Sequence, residues 1–580
     1  MAETTRQKVL RLWTDMKRAR DERVPEWKDI VEHIAPKRGE YLFTDRARGT
    51  RRDGKILDGT ATLSLETYQS GLHSSATNPA REWYRLTTSI PSTAERTSIR
   101  AYLFQVQRLV QWLFARSNIY SALHTLYGDH GAFGVAPLLV DEDPQDIMRA
   151  YVLPVGQYAL ATSERQQIDT CGRDLTFTVR QLVKKFGEKA CSKRVQEWWR
   201  RGEYNQSVKT VHLILPNEDF EFGRLDARGK LWRSIWIELS ADEKDGVLRD
   251  SGYKQFPVMA VRYEVAGMDD IYGYGPGSQA LPDVKQLQHM REAELGLIDL
   301  LKQPPMNGPA SLRSHTRPSI LPGAMNWTPD NTSAKFEPSY KPDAGTVMEV
   351  RNSKLESQLH VRKVFHEDLW RMLADRQASD PRMTAYEVSM RRDEQLILLG
   401  PAVERLHNEL LSPLIRRAIN ILGEARLLPP PPRELIDAMK AGEDIKIEYL
   451  SVMAQAQKTV GLGSLERFAQ ITQAIAATDP TGATFDKVDR DELIDQAADM
   501  TGIPPSVVRS DEDVAQIRMV RAKQAQQQAQ MAAQSQQAQT AKTLSQAPLS
   551  DDSALTRLLQ QYGPQAEGSQ AGTLGTGVQP

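Results

Sequence analysis

Residues 271–288 read IYGYGPGSQALPDVKQLQ, and the change of character inside this stretch decides the fold. Before it, from about 135 to 265, apolar residues alternate with period two in segments such as KTVHLILP (209–216), KLWRSIWIEL (230–239) and FPVMAVRYEV (256–265), separated by turn text such as 225–229. That half predicts a mixed, largely antiparallel β region. After it the period lengthens: Val284, Leu287, Leu295 and Ile298 fall on one helical face until Pro304 and Pro305 stop the pattern. Gly273, Gly275, Pro276 and Gly277 form the turn between the two regimes.

Beyond that helix, residues 303–343 are rich in Pro, Ser, Asn and Thr, with isolated apolar residues such as Leu312, Ile320 and Trp327. Helical periodicity resumes at 344–373 through Leu355, Leu359, Val364 and Leu369. A short break at 374–383, ADRQASDPRM, precedes the Thr384-x-x-Glu387 spacing, in which each side chain can satisfy the other residue's free backbone donor. A helix is expected from there to 428, with Leu399, Val403, Leu406 and Leu410 on one side. Pro401 and Pro413 should kink it, because each lacks a donor and crowds the preceding turn. Prolines 429–432 end it, and several shorter helices are expected from 434 onward. A Gln- and Ala-rich stretch follows, and the last residues carry too little apolar surface to offset the entropy of ordering.

On the other side of the β region, Val9, Trp13 and Met16, then Trp27, Ile30, Val31 and Ile34, return every three or four positions. Pro25 divides them into two helices and Pro36 ends the second. Residues 37–55 hold seven basic and three acidic residues and read as an irregular positive arm. Helices are expected at 60–76 and 94–130, the latter with Val106, Val110 and Leu113 on one face.

Composition narrows function. A chain of 580 residues with 40% hydrophobic residues can bury several cores. Its 74 Lys plus Arg balance 75 Asp plus Glu, which argues against a surface that grips nucleic acid everywhere by counterion release. Cys171 and Cys191 cannot build a disulfide framework or a four-thiolate zinc site and suit a reducing compartment. Apolar runs such as 396–399 fall far short of the ~20 residues needed to cross a bilayer, and the opening MAETTRQKVLRLW lacks a signal-peptide core.

The searches for chemistry find near misses. Gly49 to Lys55 has the spacing of a phosphate-binding loop, but Ile56 stands where a metal-holding hydroxyl is needed and no strand precedes it. His124 and His130, or His360 and His366, are six apart, about 240° around a helix, so neither pair shares a face for metal. Asp269, Asp270 and Asp283 have two readings, a divalent-ion site or helix-flanking acids. No metal, cofactor or catalytic residue is expected.

Two helices separated by about forty irregular residues can stand side by side as a stem ~36–44 Å long, the excursion protruding at one end. A lone copy leaves its flanks exposed, whereas copies repeated around a closed ring would cover one another and enclose a channel. Here the sequence resembles the head-to-tail connecting, or portal, proteins of short-tailed (podovirus) bacteriophages. The likeness rests on Trp27 with Ile34-Ala35-Pro36, on Asp58, and on Gly71-Leu72 with Pro79 and Trp83. It continues through Tyr274-Gly275-Pro276-Gly277 leading to Ala280, Leu281, Val284 and Leu287, and through Glu409-Leu410-Leu411-Ser412-Pro413-Leu414.

The resemblance implies an α+β portal fold assembled as a ring. Its parts would be a wing at 1–270, a first stem helix at 271–302, a clip at 303–343 and a second stem helix at 344–373. A channel loop at 374–383, a long kinked wing helix at 384–428, a helical crown at 429–525 and a Gln/Ala-rich and disordered tail at 526–580 would follow. It further implies a dodecamer at one capsid vertex of the virion, assembled in the host bacterial cytoplasm. Its partners would be double-stranded DNA, a separate terminase, major capsid and scaffolding proteins, and tail adaptor or nozzle proteins, with no membrane. Arg376, Gln377 and Arg382 would face DNA in the channel loop, and Arg313, Arg317 and Trp327 would meet DNA or tail adaptors in the clip; for the arginines a plain solvated surface is the other reading. A DNA-packaging ATPase or nuclease, or a tail-tube or adaptor ring, are the alternatives.

Overall fold

The computed structural model describes residues 4–43, 52–90, 93, 96–224, 226–241, 246–309, 319, 321–328, 337–340, 343–374, 399–450, 468, 470–472, 474, 491, 493–494 and 511–545. Helices α1 (Thr5–Asp21) and α2 (Val24–His33) match the N-terminal periodicity, and Thr4 with Gln7 closes a capping box at the start of α1. Then come α3 (Thr60–Ala76), β1 (Tyr84–Thr88), α4 (Thr97–Arg116) and α5 (Ile119–Phe133).

The β region forms two sheets. Strands β2 (Val135–Asp143), β3 (Ile147–Val152) and β9 (Val258–Arg262) run antiparallel in the order β3-β2-β9. Strands β4 (Tyr158–Thr162), β5 (Ile168–Thr178), β6 (Ser207–Pro216), β7 (Trp232–Glu238) and β8 (Val247–Tyr253) form a five-stranded antiparallel meander. Period two explains why both faces of the meander are covered. Val211, Leu213, Ile235 and Ile237 pack under Val9, Trp13 and Met16 of α1. On the opposite face, Val208 and Trp236 pack with Val179, Leu182 and Val195. These last lie on α6 (Val179–Phe186) and α7 (Lys193–Arg200), two helices absent from the sequence reading. On that same face His212 stacks on its cross-strand partner Trp236 at 3.9 Å. Burial, with the Arg173 and Lys185 charges, holds its imidazole well below the ordinary range and therefore neutral.

Helix α8 (Pro276–Lys302) leads into a small sheet of β10 (Met306–Pro309), β11 (Met325–Thr328) and β12 (Glu337–Pro338). The helix expected over 344–373 is two: α9 (Ala344–Val364) and α10 (Glu367–Ala374). The break falls at His366, whose φ is +53°, and it turns Phe365 and Trp370 inward against α3. Helix then runs through α11 (Gly400–Arg405), a π-helical segment (Leu406–Leu411) and α12 (Ser412–Glu424). Pro401 sits in the first turn of the described helix, where its missing N–H costs little, rather than kinking an interior. Pro413 follows the π segment, which widens the turn in which the proline cannot donate. The expected helix start at Thr384 lies outside the described residues.

One further expectation is corrected. After α13 (Arg433–Lys440), residues assigned to a helical crown form strand β13 (Ile445–Tyr449), which pairs antiparallel with β1, Tyr84 opposite Tyr449. The reason is in the text IKIEY, whose Ile445, Ile447 and Tyr449 alternate with period two and pack on the main core. The Gln- and Ala-rich stretch forms α14 (Asp511–Ser545), consistent with the high helix propensity of both residues, and the last residues, where disorder is expected, lie outside the described ones. Contacts divide the chain into a unit of residues 1–503 and a second of 504–580, to which α14 belongs.

Candidate functional site

The site with most structure around it is the pair of long helices α8 and α9, which pack along one another. The turn that opens α8 is built on close backbone approach. Gly273 is left-handed at φ +70°, and Pro276 occupies the first helical turn. A Cβ on Gly275 would strike the backbone of Gly134, the left-handed C-cap of α5, and one on Gly277 would strike the carbonyl of Ala132. Side chains larger than hydrogen would therefore lift α8 off α5.

Halfway along, Glu294 ties the helices together. It accepts from Lys354 Nζ at 2.6 Å, Arg291 Nη1 at 2.8 Å and Arg351 Nε at 3.2 Å, with its side chain 2% exposed. The bond from Lys354 leads, and with the two arginines it outweighs the burial cost, holding the carboxyl at about 2. Nearer the N-terminus of α8, Gln288 Oε1 accepts from the backbone N–H groups of Leu57 and Asp58 at 2.7 and 2.8 Å. Gln358 of α9 donates to Asp58 Oδ2 at 2.7 Å, and Thr60 donates to Oδ1 through both N–H and hydroxyl. Asp58 thus joins the start of α3 to both helices. Burial pushes its carboxyl up, but the Thr60 and Gln358 bonds and the Lys354 charge leave it below the usual range. Where α9 gives way to α10, Trp370 lies so close to Gly71 of α3 that a Cβ there would overlap the indole.

The apolar residues of the pair divide. Val284 and Leu287 are fully buried, yet Leu295 and Ile298 on α8, and Met348, Leu355 and Leu359 on α9, are exposed, Leu359 to 62%. Positions 348, 355 and 359 repeat at helical spacing and form one uncovered stripe.

Arg376, Gln377, Arg382, Arg313 and Arg317 lie outside the described residues. Trp327 is in β11, half-buried, opposite Gly308 of β10, and its indole N–H has no hydrogen-bond partner among the described residues. The enzyme candidates have other occupations. Lys55 pairs with Glu32 at 2.6 Å. Asp270 accepts from the N–H of Gly273 and Ala266 and pairs with Arg23, organising the turn before α8. Asp283 contacts His360 of α9 at 2.7 Å. Among the described residues, one group could gather round a cation, Asp29, Glu32 and His33, but Lys285 and Lys55 already neutralise its two carboxylates. Burial pushes the thiols of Cys171 and Cys191 up to about 12 and about 11, which keeps them protonated.

Sequence reasoning missed Glu294 as the keystone, although Arg291 three residues before it, and Arg351 and Lys354 one helical turn apart, carried the charge pattern. It also missed the clamp between Arg262 and Glu409, two residues 147 positions apart with no local signal.

Long paired helices with an uncovered apolar stripe, packed on a large mixed helix-and-sheet body, suit a structural, assembling protein. The family described as bacteriophage head to tail connecting protein matches residues 6–508, and the chain belongs to it. It is a structural connector and not an enzyme. A probable portal protein of Bordetella phage BPP-1 is 37% identical over 529 residues, 89% of this chain and 91% of that protein. The portal protein of Salmonella phage epsilon15 is 36% identical over 565 residues, 97% of this chain and 99% of that protein. A chain from the virion of a native gene transfer agent particle is 14% identical over 76% of this chain and 99% of that one, with a TM-score of 0.27, a similarity too low to bear on fold. Among the described residues no helix is long and apolar enough to cross a membrane.

Proposed function

We infer that the protein works as a phage portal at the head vertex of the virion, and that it does so as a closed ring of about twelve copies, with α8 and α9 as the stem. The observation carrying the ring is the uncovered stripe of Met348, Leu355 and Leu359 beside Leu295 and Ile298: rods from neighbouring copies would bury it, and the inner surface would line a passage. Residues 1–270 with the helix up to 428 form the wing, 303–343 the clip, 374–383 the channel loop, and 429–525 the crown. The pairing of β13 with β1 supports counting 445–449 with the wing.

DNA enters through this ring, driven by a separate terminase, and later leaves through it. Capsid and scaffolding proteins hold the wing, and tail adaptors meet the clip. The chain's net charge of -1 supports passage without grip, because every neutralised phosphate adds salt-dependent affinity and hence friction. Arg376, Gln377 and Arg382 are the DNA-facing residues of the channel loop, and Arg313, Arg317 and Trp327 those of the clip. Electron microscopy of particles carrying a tagged copy tests the location: label at one vertex supports the reading, and label along the tail would replace it with a tail-tube or adaptor role.

A further inference from the structure

We propose that the outer edge of strand β9 is a docking site for an extended, carboxylate-bearing segment of a partner polypeptide, which joins the β3-β2-β9 sheet as a fourth strand. The ladder geometry fixes which way each backbone group of β9 points. Tyr263 N–H donates to Gly134 at 2.9 Å and Val140 N–H donates to Pro257 at 2.8 Å, so the hydrogen-bonded positions of β9 are 257, 259, 261 and 263. Pro137, opposite Ala260, gives its carbonyl to Leu153 on the far side of β2. Val258, Ala260 and Arg262 therefore turn their N–H and C=O groups away from β2.

Arg262 N–H is met by Glu409 Oε2 at 2.9 Å. Among the described residues, the outward N–H and C=O of Val258 and Ala260 meet no donor or acceptor, although both residues are buried, at 4% and 5% exposure. Buried backbone groups are almost always paired, and an open strand edge is a template for another chain. These groups give onto a cleft of ≈ 930 Å³, lined also by Trp232, Phe256 and Arg165. The indole N–H of Trp232 is itself buried without a partner among the described residues.

Charge selects the occupant. Four arginines line the cleft, Arg165, Arg262, Arg405 and Arg416, against the carboxylates of Asp169 and Glu409. Arg262 and Arg405 share Glu409, Arg416 reaches Asp444 at 3.1 Å, and Arg165 forms no ion pair among the described residues. An extended main chain supplies alternating donors and acceptors for the edge, and carboxylate side chains meet the arginines. A nucleic acid would satisfy the arginines but not the strand edge.

The test uses the full-length protein, residue-resolved amide exchange and a labelled hexapeptide of alternating glutamate and threonine. In the free protein the amides of Val258 and Ala260 should exchange at least tenfold faster than those of Met259 and Val261, and the peptide should slow them at least tenfold. Its lysine-for-glutamate counterpart and a short DNA duplex should bind at least tenfold more weakly. Arg165→Glu, at an exposed position, should weaken the glutamate peptide tenfold without moving the melting temperature. Ala260→Pro, which removes an outward N–H while sparing the ladder, should abolish its binding. Uniformly slow exchange from 258 to 261 in the unbound subunit, equal binding of DNA or of the lysine peptide, or full protection on self-assembly alone would overturn the proposal.

Discussion

The guanidinium of Arg262 clamps the carboxylate of Glu409, Nη2 to Oε1 at 2.6 Å, while the Arg262 backbone N–H donates to Oε2 at 2.9 Å. One pair thus fastens the end of β9 to the π-helical segment, and Arg262 also reaches the carbonyl of Gln166 at 2.8 Å. Arg262→Met leaves a largely buried carboxylate with its main partner gone and should cost about 3 kcal/mol, at the low end of such losses because Arg405 remains at 3.7 Å. In urea unfolding, Arg262→Met with Glu409→Leu should cost less than the two single changes added. Strict additivity would mean the pair does not couple.

Acid should loosen the α8–α9 pair before the meander. Glu294 titrates at about 2 when folded, against about 4.3 for an unfolded glutamate, so its contribution is complete above the higher value and disappears as pH falls through the lower. The protection of amides around 291–294 and 351–354, taken relative to their intrinsic exchange rates, should fall between about pH 4 and pH 2. Glu294→Gln should weaken the helix pair at neutral pH and flatten that dependence. A dependence unchanged in Glu294→Gln would assign it to other groups.

Two glycines on the same helix should respond with opposite sign. At Gly277 a methyl would meet the Ala132 carbonyl, so Gly277→Ala should destabilise by about 1–3 kcal/mol. At Gly296, with nothing within 4 Å, alanine should stabilise by about 0.5–1 kcal/mol through lower backbone entropy in the unfolded chain. Thermal melts of the two variants check both; equal shifts would contradict the packing at the start of α8.

Much of this architecture was legible because it is periodic. The switch from period two to helical spacing across 271–288 marks β9 and α8 correctly, and Pro36, Pro304 and Pro305 stop helices as expected. What escaped needed tertiary context. Thr178-x-x-Gln181 is a capping box as good as that of Thr4, but it lay in strand-like text, so α6 passed as β. IKIEY at 445–449 was short enough to be lost among helices, and only its partner Tyr84–Thr88, some 360 residues earlier, makes it a strand. Val284, Leu287, Leu295 and Ile298 share a face in the sequence, yet only the first two find cover within the subunit. The Glu294 cluster depends on α8 and α9 standing together, which charge spacing on either alone does not state.

Charging the stripe separates folding from assembly. Leu355→Glu with Leu359→Glu alters residues 53% and 62% exposed, so the melting temperature of the isolated subunit should stay within about 2 °C. The same change should prevent ring formation, since each copy would bury two carboxylates against its neighbour. Sedimentation velocity at matched concentration reads the outcome; rings that form as readily as before would remove α9 from the interface.

Native mass measurement of the purified full-length protein, with images of the same sample, tests the central claim most directly. The account predicts one closed species of about twelve 65.3 kDa subunits with a central passage. A single-subunit species that persists at high concentration, or open filaments without a channel, would contradict it.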